Sequence, residues 1–146
     1  DLPVHAGSAG DEWVPPLPEA APGWKHRVLR RGRAARRVEN DLISGEIALI
    51  VEDDSGEVEN LGHGLITGEK VQERWSIHPD DPAKARGFCL WEQSLARGEW
   101  SVRTRACAEM HATPESLILT AKLEAWEGGN LVFSRDFSEC IARDHV

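Results

Sequence analysis

Trp100-Ser101-Val102-Arg103-Thr104-Arg105-Ala106-Cys107-Ala108-Glu109-Met110 is the stretch on which the fold turns. Trp100, Val102, Thr104, Ala106, Ala108 and Met110 share one parity, while Ser101, Arg103, Arg105 and Glu109 share the other. Side chains alternate across a strand, so this pattern predicts a strand with one dry and one wet face. The next stretch repeats it: Leu117, Leu119, Ala121, Leu123 and Ala125 alternate with Thr120, Lys122 and Glu124, up to a tight turn at Gly128-Gly129. Leu131, Phe133, Phe137 and Ile141 mark a third strand. Short turns between the three favour an antiparallel meander.

Working upstream, Val71, Trp75 and Ile77 alternate with Gln72, Arg74 and Ser76, and the run stops at the rigid turn His78-Pro79-Asp80-Asp81-Pro82. Ile47, Leu49, Ile50 and Val51 form another β-rich run, which ends in the turn chemistry of Asp53-Asp54-Ser55-Gly56. The nearest helical rival, residues 82–93, is interrupted by Gly87, Phe88 and Cys89, all poor helix formers. About eight strands are expected between residues 25 and 142, and half-buried strands in that number favour two facing sheets. The expected class is all-β, an antiparallel sandwich. Trp75 and Trp100, on the aliphatic parity, are expected in its core. Arg135 shares parity with Phe133 and Phe137, so it is expected to point inward and to be paired with a carboxylate or carbonyl from a neighbouring strand.

The chain has 146 residues, the size of one domain. Residues 1–23 hold five of the eight prolines and read as a linker or arm, with Trp13 and Leu17 as apolar groups able to pin it to the body; residues 24–146 read as the folded domain. The chain starts at Asp1 and its single methionine is Met110, which suggests a fragment or processed product. The net charge of −8 argues against nucleic acid and acidic membranes as partners. The charge is uneven, however. Lys25, Arg27, Arg30, Arg31, Arg33, Arg36 and Arg37 form a basic strip without an acid, and such a strip on an acidic body is expected to dock within the protein or between domains. No apolar run approaches the roughly 18 to 20 residues of a membrane span. Cys89, Cys107 and Cys140 are odd in number and lack zinc spacing, so reduced, mostly core thiols in a cytoplasmic setting are expected.

Residues framed for chemistry are few. No serine stands in Gly-x-Ser-x-Gly, since Gly7-Ser8-Ala9-Gly10 has the wrong spacing. The six histidines form no metal-binding pattern, so neither a metal nor a cofactor is expected, and no catalytic residue is assigned. Two residues remain as binding candidates. His63 lies between Gly62 and Gly64, whose backbone freedom permits unusual angles beside an imidazole. Trp126 breaks parity with its strand's apolar residues and is the best candidate for an exposed aromatic contact, although strand-end aromatics also serve packing.

Several segments resemble one family. Ala96-Arg97-Gly98-Glu99-Trp100-Ser101-Val102-Arg103-Thr104, Leu123-Glu124-Ala125-Trp126-Glu127-Gly128-Gly129, Val132-Phe133-Ser134-Arg135-Asp136-Phe137 and Ile141-Ala142-Arg143-Asp144-His145-Val146 look like the C-terminal end of the CocE/NonD serine hydrolases, a group similar to the X-Pro dipeptidyl-peptidases. Arg74-Trp75-Ser76-Ile77-His78-Pro79-Asp80-Asp81-Pro82 is also similar, so the resemblance covers residues 36–146. The sequence departs from the family pattern at Trp126, Phe137 and Ala142, where tyrosine, tryptophan and proline are commoner. The resemblance implies a jelly-roll-like, galactose-binding-domain-like β-sandwich without a catalytic triad. It would pack on an upstream α/β-hydrolase domain that carries the Ser, Asp and His, help shape the cleft for ester, amide or X-Pro peptide hydrolysis, and make subunit contacts. The competing expectation is a free-standing carbohydrate- or peptide-binding sandwich module.

Overall fold

The computed structural model describes residues 16–143. Seven strands follow one another: β1 His26–Asn40, β2 Ile47–Asn60, β3 Ile66–His78, β4 Asp81–Arg97, β5 Trp100–Ala112, β6 Ser116–Glu127 and β7 Asn130–Ala142. Each pairs antiparallel with the next, in the spatial order β1-β2-β3-β4-β5-β6-β7. The fold is therefore all-β and antiparallel, as expected, and consistent with a sandwich or jelly-roll-like class. Its layering differs from the expected two facing sheets: all seven strands hydrogen-bond into one open sheet, and each strand touches only its sequence neighbours.

The strand count falls one short of the expected number because Asp53-Asp54-Ser55-Gly56 does not end a strand. β2 runs straight through it, with a bulge between Asp54 and Gly56. Gly56 adopts φ of 76°, a left-handed conformation that glycine reaches without strain, so the residues that resemble a turn build a bulge instead. The segment that rivals a helix, residues 82–93, is part of strand β4, as its glycine suggests. Gly87 pairs with Trp75, and its missing side chain leaves room for the indole. Residues 16–25 form no strand. Leu17 is 89% exposed and so does not pin the arm to the sheet; Trp13 lies outside the described residues.

Residues directly opposite each other in an antiparallel ladder point to the same side. Following one such row across the sheet gives Val38, Leu49, Trp75, Gly87, Met110, Leu119 and Glu139. A parallel row gives Asp53, Val71, Trp91, Ala106, Leu123 and Arg135. This side is the apolar face predicted from parity. The other carries Arg37, Ile50, Arg74, Phe88, Glu109, Thr120 and Ser138 in register. The parity assignments of Trp75, Trp100 and Arg135 hold, but their expected burial does not. Trp75 and Trp100 are each 44% exposed and Arg135 is exposed, because the described residues form no second layer over their face.

Candidate interaction face

The apolar face is built from alternate residues of every strand from β2 to β7, and it is open. Leu49, Trp75, Ile77, Trp91, Leu95, Trp100, Phe133, Phe137 and Ile141 all remain exposed. Among the described residues the buried apolar side chains are Ala48 and Ile50, and both lie on the opposite, charged face. There Ile50 stands in register between Arg37 and Arg74, whose long apolar stems shelter it while their guanidiniums reach acids. A groove of about 530 Å³ crosses the apolar face near one end of β3, β4 and β5, between Thr67, Glu69, Gln93, Leu95, Val102 and Thr104.

The basic strip is β1, and it finds its acids within the chain. Arg30 grips Asp54 with two hydrogen bonds of 2.6 and 2.9 Å. Arg27 pairs with Glu59 at 2.6 Å, Arg36 with Asp53 at 3.6 Å, and Arg33 and Arg37 both approach Glu52 at 3.6 Å. The β1–β2 register makes this possible, because it lays the strip against the acid-rich second half of β2. Arg74 continues the network, donating to Glu39 at 3.2 Å and Glu46 at 2.8 Å. These contacts hold the Asp54 and Glu39 carboxyls below their ordinary range. For Asp54 the Arg30 hydrogen bond contributes most, followed by the Gly56 N–H; for Glu39 the larger contribution is Arg37, then Arg74. The expectation of docking within the protein is thereby met by β2.

His63 and Trp126 sit at the same end of the sheet but are not brought together. His63 is in the β2–β3 turn, where its Nδ1 accepts a hydrogen bond from the Leu65 N–H at 3.3 Å. It lines a shallow depression of about 230 Å³ with Trp24, Asn60, Leu65 and Thr67. Trp126, near the end of β6, pairs with Arg103 across the β5–β6 ladder. The Arg103 guanidinium stacks 4.0 Å from the indole centroid, so one flat side of the ring is already occupied. Among the described residues Arg135 has neither the carboxylate nor the carbonyl partner expected from a neighbouring strand; it rests over the Phe137 ring at 4.7 Å. Its parity was right, but in an uncovered layer the guanidinium is solvated and needs no buried partner.

His78 Nε2 lies 2.9 Å from the Ser44 carbonyl oxygen and His26 Nδ1 lies 3.2 Å from that of Trp24, so both rings are engaged with backbone. The three cysteines are free; Cys89 and Cys107 are half-buried and Cys140 is exposed, so the last is not the core thiol expected. Burial, reinforced by Glu73 and Cys107, pushes the Cys89 thiol up. Among the described residues no group of His, Cys, Asp and Glu is placed to hold a metal, and no helix is long and apolar enough to cross a membrane. No family model, curated protein or solved structure matches the chain.

Proposed function

We propose that this chain is a noncatalytic layer of a larger serine hydrolase of the CocE/NonD type, and that its apolar face packs on the α/β-hydrolase domain and helps wall its cleft. The observation that carries this reading is the open apolar face. Leaving so many large apolar side chains in water forfeits about 25 cal/mol per Å² that a covering layer would recover, and a patch of this extent marks an interaction surface. The sequence resemblance across residues 36–146 supplies the identity of the cover. The free thiols support a reducing, cytoplasmic setting. A free-standing carbohydrate- or peptide-binding module would want an open aromatic platform, and the stacking of Arg103 on Trp126 speaks against one there.

The test is hydrolysis of a p-nitrophenyl ester by the chain alone and by the chain joined to the region encoded immediately upstream. The expected result is an inert chain and an active joined protein that a serine-directed inhibitor silences. Inhibitor-sensitive hydrolysis by the chain alone would overturn the reading, as would an upstream region without Gly-x-Ser-x-Gly followed by Asp and His.

A further inference from the structure

Among the described residues the sheet ends in two free edges, β1 and β7. An open edge offers unpaired N–H and C=O groups to any other strand, and proteins guard against this with charge and irregularity. β1 is guarded in this way, by its row of arginines and by the break in register between Val28 and Arg30. β7 is guarded less: its one break in register, at Val132 between Leu131 and Phe133, lies near one end, and the stretch from Phe133 to Ile141 pairs with β6 without interruption. The strand runs 13 residues without proline or lysine, and its charges are Arg135, Asp136 and Glu139. Neither Arg135 nor Glu139 is ion-paired within the described chain.

The order of residues along β7 is symmetric in character about Phe137. One step out on either side stand Asp136 and Ser138, two steps out Arg135 and Glu139, three steps out Ser134 and Cys140, and four steps out Phe133 and Ile141. We propose that β7 is a docking edge for a second copy of this chain, which adds its own β7 antiparallel about a two-fold axis at Phe137. Residues equidistant from the axis have the same parity and meet on the same face. Arg135 then faces Glu139 of the second copy twice over, Phe133 faces Ile141 twice, and Phe137 meets its own equivalent.

Neighbouring registers do not share this match. An axis at Asp136 sets two aspartates against each other and leaves Arg135 opposite Phe137. An axis at Arg135 opposes two arginines, and one at Ser138 leaves Glu139 opposite Phe137 and Arg135 opposite Ile141. Like charges directly across a ladder destabilise it, so the charge pattern selects the register at Phe137. The docked pair forms one continuous sheet with both apolar faces on the same side, so it stands independently of what covers those faces.

Sedimentation equilibrium of the full chain tests the proposal, with R135E, E139R and the double exchange R135E/E139R. Each single change opposes like charges twice and is expected to weaken the dimer at least about tenfold, while the double exchange restores it to within about threefold. In a chain with its three cysteines replaced by alanine, F137C should form an intermolecular disulfide on mild oxidation. F133C should not, because its two copies stand about 26 Å apart along the paired strands. A monomer at every concentration would overturn the proposal, as would a dimer that the double exchange fails to restore or one in which F133C cross-links as readily as F137C. Circular dichroism of each variant separates loss of pairing from loss of fold, and the cysteine pair reads the register without any change of charge.

Discussion

Trp75 lies across the bare backbone of Gly87, its partner in the β3–β4 ladder, so closely that a β-carbon on Gly87 would stand 2.7 Å from the indole. The ring is held in place by its Nε1–H, which donates to Glu73 at 3.0 Å. Gly87→Ala therefore sets a steric displacement of Trp75 against the backbone entropy that alanine saves. Overpacking costs typically 1–3 kcal/mol and the entropy gain is roughly 0.5–1 kcal/mol, so a net loss of about 1 kcal/mol is expected. In a Trp75→Ala background the clash is gone and the same substitution should be neutral or stabilising. Urea melts of the four proteins check this, and equal effects in both backgrounds would refute it.

Gly56→Ala should cost more. Its φ of 76° is strained for alanine, and the new β-carbon would run into the Arg30 carbonyl oxygen in the neighbouring strand. A loss of about 2–3 kcal/mol is expected, the scale of a local backbone strain plus a clash. Gly129 has φ of 85° but open space around it, so Gly129→Ala should cost less. Equal losses would mean that the bulge is not where the structure puts it.

The Arg30–Asp54 pair gives the sheet a pH dependence of known sign. The Asp54 carboxyl is held below its ordinary range in the folded chain, so its contribution is present above the unfolded value of about 3.9 and is lost as the pH falls through the lower folded value. Thermal melts between pH 6 and pH 3 should show wild type losing stability on acidification, with Asp54→Asn losing less. Parallel slopes for the two proteins would contradict the pairing. The pair is near the surface, so salt should also reduce its effect.

Thiol reactivity should separate the cysteines. Burial raises the Cys89 thiol and keeps it protonated at neutral pH, while Cys140 is exposed on β7. Iodoacetamide at mildly alkaline pH should modify Cys140 well before Cys89, as peptide mass mapping would show. Preferential labelling of Cys89 would place it in different surroundings.

Period-two reading found which way the side chains point, because parity is a local property of an extended chain. It placed Trp75, Trp100, Phe133 and Phe137 on one face and Trp126 on the other, as the ladder does. Burial is a different matter, since it depends on what lies above a face, and nothing in the alternation of residues 100–110 says whether that layer belongs to the same chain. The Asp53-Asp54-Ser55-Gly56 segment differs from its expected turn for a related reason. Asp, Ser and Gly favour turns and bulges alike, and the choice is made by β1 and β3 pairing along the whole of β2. The stacking of Arg103 on Trp126 was invisible for want of the β5–β6 register.

The central claim is that the apolar face is a surface made to be covered by another protein layer, and acrylamide quenching of tryptophan fluorescence tests it most directly. Trp75, Trp91 and Trp100 lie open on that face in the chain alone. Comparing the chain alone with the chain joined to the proposed hydrolase domain, in which every tryptophan of that added domain is replaced by phenylalanine, should show a marked drop in quenching on joining. Replacing Trp75, Trp91 and Trp100 together should abolish that drop. Quenching that stays the same in the joined protein would contradict the account.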